Sequence, residues 1–140
     1  MAEDELPKAD YEALADFRFN LRRFLDFSQR AARDVGLTPQ QHQALLSIMG
    51  QPGRETVTIG ELAAHLLIQH HSAVELSNRL EALGLVRRQP DPADGRRVLL
   101  ALTPAARGLL ARMSAIHLEE LRRIGPQLAD LLARLNGGER

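Results

Sequence analysis

Cysteine is absent from the 140 residues, which excludes disulfide bridges, thiolate nucleophiles and thiol-based redox sensing and fits a reducing compartment. Net charge is absent as well. Eighteen basic residues balance eighteen acidic ones, so no global field draws the whole molecule to nucleic acid or to an anionic membrane, and any asymmetry has to be local. No stretch approaches the roughly 20 consecutive apolar residues of a membrane helix, and the opening MAEDELPKADYEAL is acidic without an apolar run. Neither a membrane partner nor an export signal is expected, and the expected location is the cytoplasm. What is present is 44% hydrophobic residues, enough for the core of one domain that folds without a cofactor.

Residues 1–9 are polar and include Pro7, and read as a flexible lead-in to a single domain over 10–140. From Asp10 to Asp34, Leu14, Phe17, Leu21, Phe24, Leu25 and Ser28 recur at spacings of three and four, the mark of a long amphipathic helix. Gly36 stops it. Thr38 caps a second helix, with Pro39 in its first position, that runs to about Met49 and turns Ala44, Leu45 and Ile48 inward. GQPGRE at 50–55 is a loop, and Thr58 with Glu61 three residues on forms a capping box for a short helix through Leu66. A turn at Leu67–His70 leads to a further helix ending near Leu83, closed by Gly84 in a left-handed conformation. Then the period changes to that of strands: Leu85–Gln89 and Arg97–Leu102 flank PDPADGR, a hairpin with a protruding tip. Thr103 and Pro104 open a long helix to about Ile124, Pro126 interrupts it, and a last helix ends at Asn136 and Gly137.

The predicted fold is mainly α with a small β-hairpin: a winged helix-turn-helix over 58–103 between long terminal helices at 10–34 and 104–136. Such a pair of helices places its second member in the major groove of double-stranded DNA, and the hairpin reaches the neighbouring minor groove. At about 100° per residue, Ala73, Leu76, Leu80 and Leu83 share an inward stripe, leaving His71, Val74, Glu75 and Asn78 on the opposite face. These are the candidate base-reading residues. Val74 suits a thymine methyl and Glu75 a cytosine amine, while Ser72 and Arg79 on the flanks suit phosphates. Between Val86 and Arg107 stand five arginines (Arg87, Arg88, Arg96, Arg97, Arg107) against Asp91 and Asp94, so a neutral chain carries a locally basic wing. An ion pair between Asp94 and Arg96 would brace the tip and leave Arg97, or Arg96 itself, for the minor groove.

These residues also carry a family resemblance. LTPQQHQALLSI, TIGELAAHL, SNRLEALGLVRRQPDP and ADGRRVLLALTPAARGLL, in this order and spacing between Leu37 and Leu110, resemble the MarR family of bacterial transcription regulators. The resemblance implies a homodimer with interlocking terminal helices, bound to a short pseudo-palindromic operator, usually as a repressor released by a small-molecule effector. Where many members show Asp-Arg-Arg at the wing, this chain has Asp94, Gly95, Arg96, Arg97. The minor-groove contact therefore falls to Arg96 or Arg97.

Other features suggest less. His65, His70 and His71 are close in sequence, but adjacent side chains on a helix diverge by about 100° and no cysteine completes a set, so no metal site is expected. Phe24, Phe27 and His42 are candidates for an effector pocket. The terminal helices carry more apolar side chains (Leu118, Leu121, Leu128, Leu131, Leu132, Leu135 in the last pair) than one small domain covers, which calls for a homodimer. No Ser/His/Asp order, phosphate loop or metal pair supports an enzyme. The alternative function is a winged-helix protein-interaction module without specific DNA binding, which zero net charge and Glu75 allow.

Overall fold

The structure is a computed structural model that describes residues 5–137. The chain separates into two compact units, one of residues 32–114 and the other of residues up to 31 together with those from 115 onward. Elements run in the order α1 (Lys8–Asp34), α2 (Pro39–Met49), β1 (Thr56–Thr58), α3 (Ile59–Leu66), α4 (His70–Ala82), β2 (Val86–Pro90), β3 (Val98–Leu102) and α5 (Pro104–Leu135). Among the described residues no helix is long and apolar enough to cross a membrane.

The central unit is built around a continuous apolar core. Ala44, Leu45 and Ile48 of α2, Leu62 of α3, Ala73, Leu76 and Leu80 of α4, Val57, Val86, Leu100 and Leu102 of the sheet, and Ala106, Leu110 and Met113 of α5 are all buried in it. The starts of α2 and α3 are fixed locally. Thr38 Oγ1 accepts from the Gln41 amide at 3.1 Å while Gln41 Oε1 accepts from the Thr38 amide at 3.0 Å. Thr58 and Glu61 make the same reciprocal pair at 3.1 and 2.9 Å, so orphan amides at both helix starts are satisfied. Gly84, at φ 74°, closes α4 in the left-handed region expected for it.

The sheet corrects the expected hairpin. It has three antiparallel strands in the order β1–β3–β2. The strands β2 and β3 pair from Val86↔Leu102 to Pro90↔Val98, one residue later than the sequence suggests at their starts. The unexpected β1 covers the end of the 50–58 stretch and pairs Val57 with Leu100. Three residues are too short to display alternation; the pairing with β3, more than forty positions away, supplies the strand.

Three boundaries also move. Of the expected lead-in, residues 1–4 lie outside the described residues, while Lys8 and Ala9 are already helical. His70 opens α4 instead of closing the turn, because Gln69 takes the N-cap position. Pro126 does not interrupt α5, which runs unbroken to Leu135. A prolyl ring clashes with the Cβ of the residue before it, and that residue is Gly125, whose Cβ is missing. Pro126 is exposed, as is Arg122, the residue whose carbonyl loses its amide partner.

The terminal unit, formed by α1 and the distal part of α5, has a much smaller interior. Ala13, Ala31, Ile124 and Leu131 are its buried apolar residues among those described. Tyr11, Leu14, Phe19, Leu21, Leu25, Ile116, Leu118, Leu121 and Leu132 are exposed.

Candidate nucleic-acid interface

The second helix of the pair, α4, buries Ala73, Leu76, Ser77 and Leu80. Leu83 leaves the predicted stripe and is 56% exposed. Leu83 is the C-cap and still has helical backbone angles, φ −80° and ψ −3°; at about 100° per residue it lies about 80° round from Ala73, at the edge of the stripe, whose centre is shifted toward Ser77. Ser77 takes the inward place. Its hydroxyl donates to the Val74 carbonyl at 2.9 Å and accepts from Arg88 at 3.1 Å, which meets the cost of burying it.

The predicted outward face is at the surface. His71, Glu75, Asn78 and Arg79 are exposed, and Ser72 and Val74 are half-buried. A shallow hollow of about 270 Å³ lies between this face and the start of α2, with Thr38, Gln40 and Gln41 on one wall and Ser72, Glu75 and Arg79 on the other. Arg79 enters no ion pair among the described residues.

The wing is shaped by its aspartates. Asp91 Oδ1 accepts from the Ala93 amide at 2.9 Å, and Asp94 Oδ1 accepts from the Arg96 amide at 3.1 Å, two side-chain turns in succession. Backbone bonds from Asp91 N to Arg97 O (3.0 Å) and from Arg97 N to Asp94 O (2.9 Å) close the loop. Arg96 Nε lies 3.4 Å from Asp94 Oδ1, and the Arg96 side chain is 93% exposed. A pair so open to water adds little stability. Gly95, where the family pattern has an arginine, has no heavy atom within 4 Å of an added Cβ.

The basic patch is smaller than the count of arginines suggests. Arg107 Nη2 is 2.5 Å from Glu55 Oε1, and Arg88 Nε is 3.3 Å from Glu81 Oε1. Both charges are met within the protein. Among the described residues Arg87 and Arg97 enter no ion pair and remain the outward charge of the wing, with Arg96 exposed beside Asp94. Arg88 also donates to Asn78 Oδ1, a contact that sequence reasoning missed: helix and strand positions ten residues apart become neighbours only once β2 folds back along α4. A preceding element is secured the same way. Arg54 binds Glu61 through both nitrogens, at 3.0 and 2.6 Å. Those bonds, with the Thr58 amide, hold the Glu61 carboxyl down at about 2.

The residues named for an effector pocket do not fall in one unit. Phe24 and Phe27, half-buried in the terminal unit, set their ring edges against His117 at centroid distances of 5.9 and 5.4 Å. His117 Nε2 is 2.9 Å from Ser28 Oγ. His42 is buried in the central unit, on α2. His65, one of the clustered histidines, is engaged by Ser47 Oγ at 3.0 Å.

Residues 35–97 match the sequence model of the MarR family. A putative transcriptional regulatory protein for the hcr operon of Thauera aromatica is 32% identical over 127 residues, which span 87% of this chain and 70% of that protein. In fold the chain is similar to AbsC, a MarR family transcriptional regulator from Streptomyces coelicolor, with a TM-score of 0.69 at 19% identity over 84% of this chain and 79% of that one. It is also similar to a MepR variant of Staphylococcus aureus solved bound to an oligodeoxyribonucleotide, with a TM-score of 0.64 at 22% identity over 89% and 97% of the two chains.

Proposed function

Because the chain belongs to the MarR family of transcriptional regulators, we propose that it is a homodimeric, operator-specific repressor released by a small-molecule effector. One observation carries the DNA-reading part. The central unit that buries the inner side of α4 leaves His71, Glu75, Asn78 and Arg79 exposed, and the same unit carries a braced wing with Arg96 and Arg97 outward. In this reading His71, Val74, Glu75 and Asn78 face base edges, Ser72 and Arg79 hold phosphates, and Arg96 or Arg97 enters the minor groove. A structural relative solved with an oligodeoxyribonucleotide supports DNA as the partner of this fold.

The dimer is supported by the exposed apolar side chains of the terminal unit. For an effector, the half-buried Phe24 and Phe27 rings beside His117 are the candidate apolar contacts. With the helix pair occupying the groove, effector binding would act by favouring an arrangement of the two wings that no longer fits adjacent half-sites.

Selection of binding sites from random double-stranded DNA by the purified chain tests the proposal. The expected product has two half-sites about one helical turn apart. Replacing both Arg96 and Arg97 by alanine should lower affinity by roughly 100-fold and reduce the salt slope by about 2. A wild-type dimer that selects no sequence at low salt would overturn it, and so would a double variant that binds the selected site unchanged.

A further inference from the structure

We infer that Arg88 sets the base preference of Asn78, biasing it toward hydrogen-bond donation and so toward guanine over adenine. The inference rests on the proposal that α4 lies in the major groove. An unencumbered asparagine pairs with adenine through both ends of its amide, Oδ1 accepting from N6 and Nδ2 donating to N7. Here one end is already engaged. Arg88 Nη2 donates to Asn78 Oδ1. A guanidinium carries only donors, so the amide atom facing it has to be oxygen, and the Nδ2 donor is turned the other way.

The guanidinium is itself held in place. Its Nη2 also donates to Ser77 Oγ at 3.1 Å, and its Nε lies 3.3 Å from Glu81 Oε1. Ser77 is fully buried and bonded to the Val74 carbonyl, so the anchor does not drift. Three partners over the last turns of α4 thus clamp a side chain that is only 35% exposed.

The consequence is electrostatic as well as geometric. For adenine to be read, its amino group would have to share Asn78 Oδ1 with a charged guanidinium, bringing two donors and a positive charge to one oxygen. Guanine presents two acceptors, O6 and N7, and meets the free Nδ2 donor without bringing a second donor to Oδ1. Thymine offers a single acceptor beside a methyl group, a poorer match. Arg88 is a positioning residue: it acts on the base through Asn78.

The test is operator selection from random DNA with the full chain, followed by affinities for single-base variants of the selected site. Asn78→Ala identifies the base pair concerned, as the position whose preference it abolishes. Wild type should select G·C there. Arg88→Met, which frees Oδ1, should move the preference at that one position to A·T by ~10-fold, within the range of one bidentate base contact. Arg88→Lys, still a pure donor, should keep the wild-type preference. Arg88→Met added to Asn78→Ala should change nothing further at that position. A merely structural role for Arg88 would lower affinity for all sequences alike, and that result would overturn the inference. Adenine selected at that position by wild type would also overturn it, as would an Asn78→Ala variant with every preference intact. In each of these the operator itself survives, so the regulator proposal stands; failure of wild type to select any site would remove both.

Discussion

The central unit and the terminal unit handle apolar surface in opposite ways. In the first, Leu45, Ile48, Leu62, Leu80, Leu100 and Leu102 are at most 1% exposed, and helices, sheet and caps close around them. In the second, Leu14, Phe19, Leu25, Leu118 and Leu132 are each more than 40% exposed, against a buried set of two alanines, an isoleucine and a leucine. The sequence pattern alone does not separate the cases, since both regions show amphipathic helices. The difference is that three secondary-structure layers meet in the central unit, whereas two helices alone cannot enclose their own leucines. In the proposed reading the finished unit presents polar side chains to the DNA groove, and the unfinished one its apolar face to a second copy.

The strongest way to break this contrast is through the finished core. Leu80→Ala leaves a cavity in a site with no route for collapse and should cost about 3 kcal/mol of unfolding free energy, measured by urea denaturation followed by circular dichroism; a loss under about 1 kcal/mol would mean that the central core is not the source of stability. In the terminal unit the same kind of change should behave differently. Replacing Leu25 and Leu118 by serine removes side chains that are already exposed, so helix content should hold while self-association weakens by roughly 100-fold. Sedimentation velocity reads this directly. A wild-type chain that stays monomeric at tens of micromolar would sink the dimer half of the comparison. A smaller effect belongs to the caps: Thr58→Ala removes the oxygen that accepts from the Glu61 amide and should cost ~1 kcal/mol, visible as faster amide exchange at the start of α3.

Much of the central unit was legible in the sequence because its signals are local. Thr38 with Pro39, Thr58 with Glu61, and Gly84 each act within three or four residues, and each occupies the capping or left-handed role its residue type favours. The stripe Ala73–Leu76–Leu80 needs only the helical period. What was not legible depends on partners distant in the chain. The strand β1 exists because Val57 meets Leu100. Arg107 is neutralised by Glu55, 52 positions away, and Arg88 turns from a wing charge into a clamp on α4 only through the β2–α4 neighbourhood. Pro126 misled for the opposite reason: a strong local rule was cancelled by its immediate neighbour, Gly125. The candidate base-reading residues were legible as a face; the restraint on Asn78 was not.

Acid is the mildest probe and distinguishes the units by their carboxylates. Glu61 is lowered from 4.5 to about 2, first by its hydrogen bonds from Arg54 and then by the Thr58 amide. A carboxyl held below its unfolded value binds its proton less readily in the folded state, so its contribution is fully present above about pH 4.5. It is lost as the pH falls through that value toward 2. The Glu61 and Arg54 side chains are 32% and 42% exposed, so solvent screening reduces the nominal effect to ~0.5–1 kcal/mol. In the terminal unit, Glu120 is also lowered by Arg123, but that pair bridges one turn of one helix and ties no second element to it. Between pH 5 and pH 2.5, amide protection should therefore fall first at the start of α3. Glu61→Gln, which retains an acceptor for the capping box but has no charge to lose, should flatten that pH dependence. Equal loss of protection at α3 in the wild type and the glutamine variant would show that the Arg54–Glu61 charge pair contributes nothing to holding α3 against the sheet.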